Sequence, residues 1–179
     1  MKKNPTLLIL IIIFLLFLFY LFIKKDKELN TFKFPDTVIV NNYTEFQKID
    51  TISMVITNKI LKIDTIQIDI FYSPIDMSND NYEIYGFTFP NQFEKNKYYI
   101  YINPKFKNNL IKLLSHEISH IKQHLDGLLV YPSTGIHYIN YKGEKIYLDS
   151  VIYENRQHEI DAFKIQKDIE NELNKILYK

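Results

Sequence analysis

Cysteine is absent from the 179 residues. That removes disulfides, a thiolate metal site, a cysteine nucleophile and a lipid-modified N-terminal cysteine together, while leaving the redox compartment open. An excess of charge is also lacking: 22 Lys and Arg stand against 21 Asp and Glu, a net charge of +1, so there is no electrostatic argument for nucleic acid. No internal repeat is present, and alanine occurs once, at Ala162, among abundant Ile, Lys, Asn and Tyr, a bias that reflects coding-DNA composition rather than function. What is there is 46% hydrophobic residues, enough for the core of one domain of ordinary size with an appendage.

The chemistry is concentrated in Leu113-Leu114-Ser115-His116-Glu117-Ile118-Ser119-His120-Ile121-Lys122-Gln123. Its spacing is His-Glu-x-x-His. On an α-helix, positions i and i+4 lie one turn apart on the same side, so His116 and His120 can close on a single zinc ion. Glu117 then stands beside the metal without binding it, where a general base must be to take a proton from an activated water. Punctuation predicts a helix from about Pro104 to Asp126: Asn103 is a good N-cap, Pro104 suits the first position, and Gly127 fits a left-handed C-cap. Phe106, Leu110, Leu113, Leu114, Ile118, Ile121 and Leu125 form one apolar stripe, Lys112, Ser115, Ser119 and Lys122 fall opposite towards water, and the two histidines lie on the shoulder. The competing reading is a pair of half-buried histidines satisfied by hydrogen bonds.

Residues Thr6 to Ile23 are an uncharged run bounded by Lys2-Lys3 and Lys24-Lys25. Its length matches the hydrocarbon thickness of a bilayer, and the run predicts a single membrane-spanning helix over residues 1–25. No small-x-small cleavage site follows, which argues against a removed signal peptide. The flanking lysines nearly balance; we expect a signal-anchor with the C-terminal domain on the extracytoplasmic side. Residues 26–42 read as a polar tether with a short strand at Thr37 to Val40.

The rest, 43–179, reads as one domain. Thr44 with Gln47 forms a capping box for a helix from about Glu45 to Lys62. Ile66, Ile68, Ile70 and Tyr72 then alternate with polar neighbours, as do the runs at Tyr82 to Phe89 and Lys97 to Ile102, which predicts strands in a small, mostly antiparallel sheet. Leu128 to Asp149 contains an expected hairpin, His137 to Asn140 with Lys145 to Leu148. Glu159, Ile160, Phe163, Ile169, Leu173 and Ile176 suit a second amphipathic helix, and Ala162 would let it approach the first closely. The fold class is therefore α+β.

The His116 to His120 stretch, with Glu159 in Arg156-Gln157-His158-Glu159-Ile160-Asp161-Ala162-Phe163, resembles the gluzincin class of zinc metallopeptidases. It is most similar to short proteins of bacteria and their phages that carry HExxH-x-x-Q and a later E-x-[ED]-A. The resemblance covers about Tyr98 to Phe163 and is sharp at the two motifs. It implies a zincin-like domain, one zinc ion held by His116, His120 and Glu159, and Glu117 as general base. It also implies a sheet edge strand beside the active-site helix on which substrate docks as an added strand, with Tyr98 to Ile102 as the matching segment.

The third ligand has its own argument, because two histidines alone hold zinc loosely. Asp126 is ten residues after His116, but Gln123 stands where chains that use that position break the helix with glycine. Glu159 is better placed on the second helix; Glu154 and His158 remain candidates. An ordinary solvated carboxylate near a helix start is the plain alternative. Oxyanion donors could come from His137, Tyr138, Tyr153 or His158, whereas His124 reads as a surface residue and Asp161 as pointing away from Glu159. The expectation is a membrane-anchored, zinc-dependent metallopeptidase acting on peptide or protein, with no nucleic-acid partner. Its rivals are a non-catalytic, membrane-tethered zincin-fold binding module and a metal hydrolase of another bond, such as a cell-wall cross-link.

Overall fold

The computed structural model describes residues 38–73, 84–132 and 138–177. The apolar run at 6–23, and with it the expected membrane span, lies outside them, as does His137. Among the described residues no helix is long and apolar enough to cross a membrane.

The chain is α+β, and its centre is a four-stranded sheet of β1 (Val38–Asn42), β2 (Ile66–Tyr72), β3 (Gly86–Pro90) and β4 (Lys97–Ile102), in the order β1-β2-β4-β3. The alternation of isoleucine with polar or aromatic residues builds it. Ile66, Ile68 and Ile70 of β2 and Tyr98, Ile100 and Ile102 of β4 are buried in the main core. The intervening Phe71 and Tyr101 stack on the other face with Phe87, at ring-centroid distances of 5.6 and 4.9 Å.

The sheet is mixed, not mostly antiparallel as the pattern suggested: β1 pairs with β2 and β2 with β4 in parallel, and β3 alone runs antiparallel, against β4. A two-residue period identifies a strand with one covered face and carries no information about direction. Both parallel pairs have helices over one face, so their strands alternate where a doubly covered parallel sheet would read as continuously apolar. The chain leaves β2, reaches the far edge as β3, and returns as β4 into the interior. Tyr98 to Ile102 is therefore an interior strand, and the edge beside the His-Glu-x-x-His helix is β3.

The expected helix at Glu45 to Lys62 is shorter and irregular. The Thr44 hydroxyl donates to Asn42 Oδ1 at 2.6 Å and accepts from the Phe46 amide at 3.2 Å, so it serves a local turn instead of a capping box with Gln47. Lys48 is left-handed (φ 66°), and only then does α1 (Ile49–Met54) begin, continuing as π-helix through Val55–Ile60.

The next helix keeps its predicted brackets. Asn103 accepts from the Lys105 amide and Pro104 opens the helical run, but Pro104–Asn109 is 3-10 with a kink at Phe106, so α2 itself is Leu110–Leu125. Gly127 takes φ 72° after it, and the Leu128 amide returns to the Gln123 carbonyl at 2.9 Å, a Schellman closure. One expectation fails here. Ser115 and Ser119 do not face water but are fully buried, and α1 with its π-helical continuation packs against α2.

Beyond α2 a second, smaller sheet of β5 (Leu129–Val130), β6 (Tyr138–Tyr141) and β7 (Glu144–Tyr147) contains the expected hairpin, turned at Lys142 (φ 51°) and Gly143 (φ 84°). Helix α3 (Gln157–Leu177) follows and packs along α2, with Ala162, Ile169 and Leu173 buried.

Candidate metal centre

Three side chains from two helices meet at one point. His116 and His120, one turn apart on α2, bring their Nε2 atoms to 3.2 Å of each other. Glu159, in the first turn of α3, sets its Oε2 3.1 Å from His116 Nε2 and 3.3 Å from His120 Nε2. All three residues are buried and form a group able to hold a metal ion. The separations themselves test the fit: ligand atoms bound tetrahedrally at about 2.0–2.1 Å lie about 3.3–3.4 Å apart. Two imidazole nitrogens and a carboxylate oxygen, crowded together away from water, need a shared cation or proton between them.

Two further groups reach Glu159. The Tyr153 hydroxyl donates to Oε2 at 2.7 Å and lies 3.3 Å from His116 Nε2. His158 Nε2 is 3.1 Å from the other oxygen, Oε1. Tyr153 is held in place from Arg156, whose guanidinium donates to the Leu148 carbonyl at 2.7 Å and the Val151 carbonyl at 3.1 Å and lies 5.5 Å from the Tyr153 ring centroid.

Glu117 points from the same helix towards the edge strand, where the Thr88 hydroxyl donates to its Oε2 at 2.8 Å. Gly86 makes that approach feasible, since a Cβ there would lie 2.9 Å from the Tyr101 carbonyl oxygen and 3.2 Å from Glu117 Oε1. Burial pushes the Glu117 carboxyl up, towards holding a proton, and the neighbouring histidines and Thr88 oppose it. Burial works against a charge on His120, but Glu159 and Glu117 outweigh it and carry the ring up to about 9. Glu159, although desolvated, is held far below the ordinary carboxylate range by His116, His120 and His158.

Comparison with known protein families, curated proteins and solved structures finds no match for this chain.

Of the residues singled out in the sequence, His116, His120 and Glu159 converge, Glu117 stands beside them, and of the expected oxyanion donors Tyr153 and His158 both reach the cluster. His158 turns to Glu159 Oε1 and acts as its support. Tyr138 instead lies under Lys145, whose Nζ is 3.6 Å from its ring centroid, and beside Tyr147. Asp126 pairs with Lys122 and Glu154 is exposed. His124 is half-buried, not a surface residue: its Nδ1 is 2.9 Å from the Tyr98 hydroxyl and its ring stacks on Tyr131. Asp161 does point away, accepting from Tyr141 and Lys142 and so tying the hairpin to α3.

Four residues support the site in roles the sequence did not assign to them: Thr88, Arg156, Gln123 and Gln166. Gln123 was legible in principle, at three residues beyond His120, and Gln166 at two turns beyond Glu159. For Thr88 the sequence holds no signal, because its partner lies across the fold.

Proposed function

We propose that this chain is a zinc-dependent metallopeptidase of the gluzincin kind, anchored to a membrane through residues 6–23. The observation that carries the reading is the convergence of His116, His120 and Glu159 within 3.3 Å, with Glu117 on the next residue of the same helix. Zinc bound there would supply a Lewis acid that acidifies a water and polarises a carbonyl. Glu117 accepts the proton of the attacking water and then hands it to the leaving amine. Its burial suits both steps, since a carboxyl pushed towards protonation is a better carrier near neutral pH. The Tyr153 hydroxyl serves as donor to the oxyanion that develops on the substrate carbonyl, and Arg156 fixes the turn that carries it.

Strand β3 is suited to hold an extended substrate. The Asn103 amide donates to the Tyr85 carbonyl and the Asn91 amide to the Lys97 carbonyl, so the odd-numbered residues face β4. The N–H and C=O groups of Gly86 and Thr88 are then directed to the free edge, and Pro90, with no N–H, ends the row. Thr88 thus links the two tasks, its backbone on the substrate side and its hydroxyl on Glu117.

The test is the Glu117→Gln chain with zinc content and chelator-sensitive casein hydrolysis measured together. Zinc retained with hydrolysis lost supports the reading. Full hydrolysis in the variant refutes the role of Glu117, and zinc without hydrolysis in the native chain favours a metal-stabilised binding module.

A further inference from the structure

Gln123 and Gln166 are buried polar residues at the site, at 1% and 5% exposure, with no task in the hydrolysis itself. Each touches the rear nitrogen of one histidine. Gln123 Oε1 is 3.0 Å from His120 Nδ1, and Gln166 Oε1 is 3.2 Å from His116 Nδ1.

The opposite end of each carboxamide fixes which way round it sits. Gln123 Nε2 is 2.8 Å from the His158 carbonyl and Gln166 Nε2 is 2.6 Å from the Glu170 carboxylate. Both of these partners can only accept, so both must face an N–H, and the carboxamide oxygens are left for the imidazoles. An amide oxygen in turn only accepts, so each Nδ1 must carry a proton. In the neutral ring that leaves Nε2 bare, and the Nε2 atoms are the ones gathered around Glu159.

We propose that Gln123 and Gln166 are positioning residues that hold both imidazoles in the Nδ1–H form and so ready the site for zinc before the ion arrives. The inference rests on the metal reading above. The two carboxamides differ in what lies behind them. Gln123 spans from α2 to the His158 carbonyl at the start of α3, so one side chain sets a ring and the distance between the two ligand-bearing helices. Gln166 passes the charge of Glu170 to His116: the carboxylate polarises the amide, the amide oxygen becomes a stronger acceptor, and the ring a more basic ligand.

The experiment uses the full-length chain in detergent micelles, with ring-nitrogen NMR and zinc affinity measured by competition against a chromophoric chelator. Native protein should show a slowly exchanging proton on Nδ1 of both His116 and His120, retained when zinc is added. Gln123→Leu and Gln166→Leu should each weaken zinc binding by about 10- to 100-fold, the usual effect of losing such a support. The double variant Gln166→Glu with Glu170→Gln reverses the order of amide and carboxylate while keeping both hydrogen bonds, and should regain most of that affinity. A residue that only filled space would show no such rescue. A bare Nδ1 on either ring, native affinity in both leucine variants, or no rescue by the reversed pair overturns the proposal. Should the native chain take up no zinc, the peptidase reading falls, and the spectra still decide this one: protected Nδ1 protons lost in the leucine variants uphold it, and unprotected ones end it.

Discussion

Along one side of α2, Leu114, Ile118 and Ile121 are buried in the same cluster as the isoleucines of β2 and β4; two residues further round the helix, His116, His120 and Gln123 are buried, the histidines somewhat less completely, among polar atoms. Both sets follow the spacing i, i+4, i+7, and a shift of two residues turns them about 200 degrees apart. The first set contributes stability by leaving water and asks only for volume. The second gives up hydration and recovers it only through partners aimed at particular atoms, from α3, the Tyr153–Asn155 turn and the metal proposed here. The apolar side is thus what holds the polar side in register, and the two should respond differently to substitution.

The largest expected separation is at Glu117. Replacement by Gln should lower casein hydrolysis by about 100- to 10,000-fold, while the thermal midpoint and zinc content stay close to native. On the apolar side the reverse should hold: Ile118→Ala should cost about 2–5 kcal/mol in chemical unfolding through the cavity it opens, with bound zinc per folded molecule unchanged. An intermediate case is Gly86→Ala, where the new methyl meets the Tyr101 carbonyl and Glu117. It should cost about 1–3 kcal/mol and reduce hydrolysis as well, since the strand cannot shift without moving Glu117. The smallest effect concerns His124, whose ring is held below its ordinary pKa by burial. A depressed histidine binds fewer protons folded than unfolded, so stability is complete above the unfolded value of about 6.5 and falls as pH drops below it. Urea midpoints across that range should decline in the native chain and decline less in His124→Asn.

The same contrast explains how much was legible in advance. Helix α2 could be read because its caps, its apolar stripe and its His-Glu-x-x-His spacing are all local, and Asn103, Pro104 and Gly127 do in the fold what their types suggest. The hairpin turned at Lys142 and Gly143 and the helix carrying Glu159 were legible for the same reason. Strand direction was not, because Ile66 to Tyr72 would alternate identically in either orientation. The irregular stretch from Thr44 to Ile60 depends on Asn42 capturing the Thr44 hydroxyl, a competition between turns that a capping-box pattern does not resolve. Ser115 and Ser119 looked solvent-facing because hydroxyls usually are, and only a third packing partner reverses that. At the site, the two motifs pointed to the three side chains that converge, whereas Thr88 and Arg156 act on residues brought near by the fold.

The most direct test counts metal. Full-length native chain and its Glu117→Gln and Glu159→Ala variants, equilibrated with zinc and freed of loosely held ions, should contain close to one zinc per chain in the first two and far less in the third. A native chain that retains no zinc, or a Glu159→Ala chain that retains as much as native, would contradict the account.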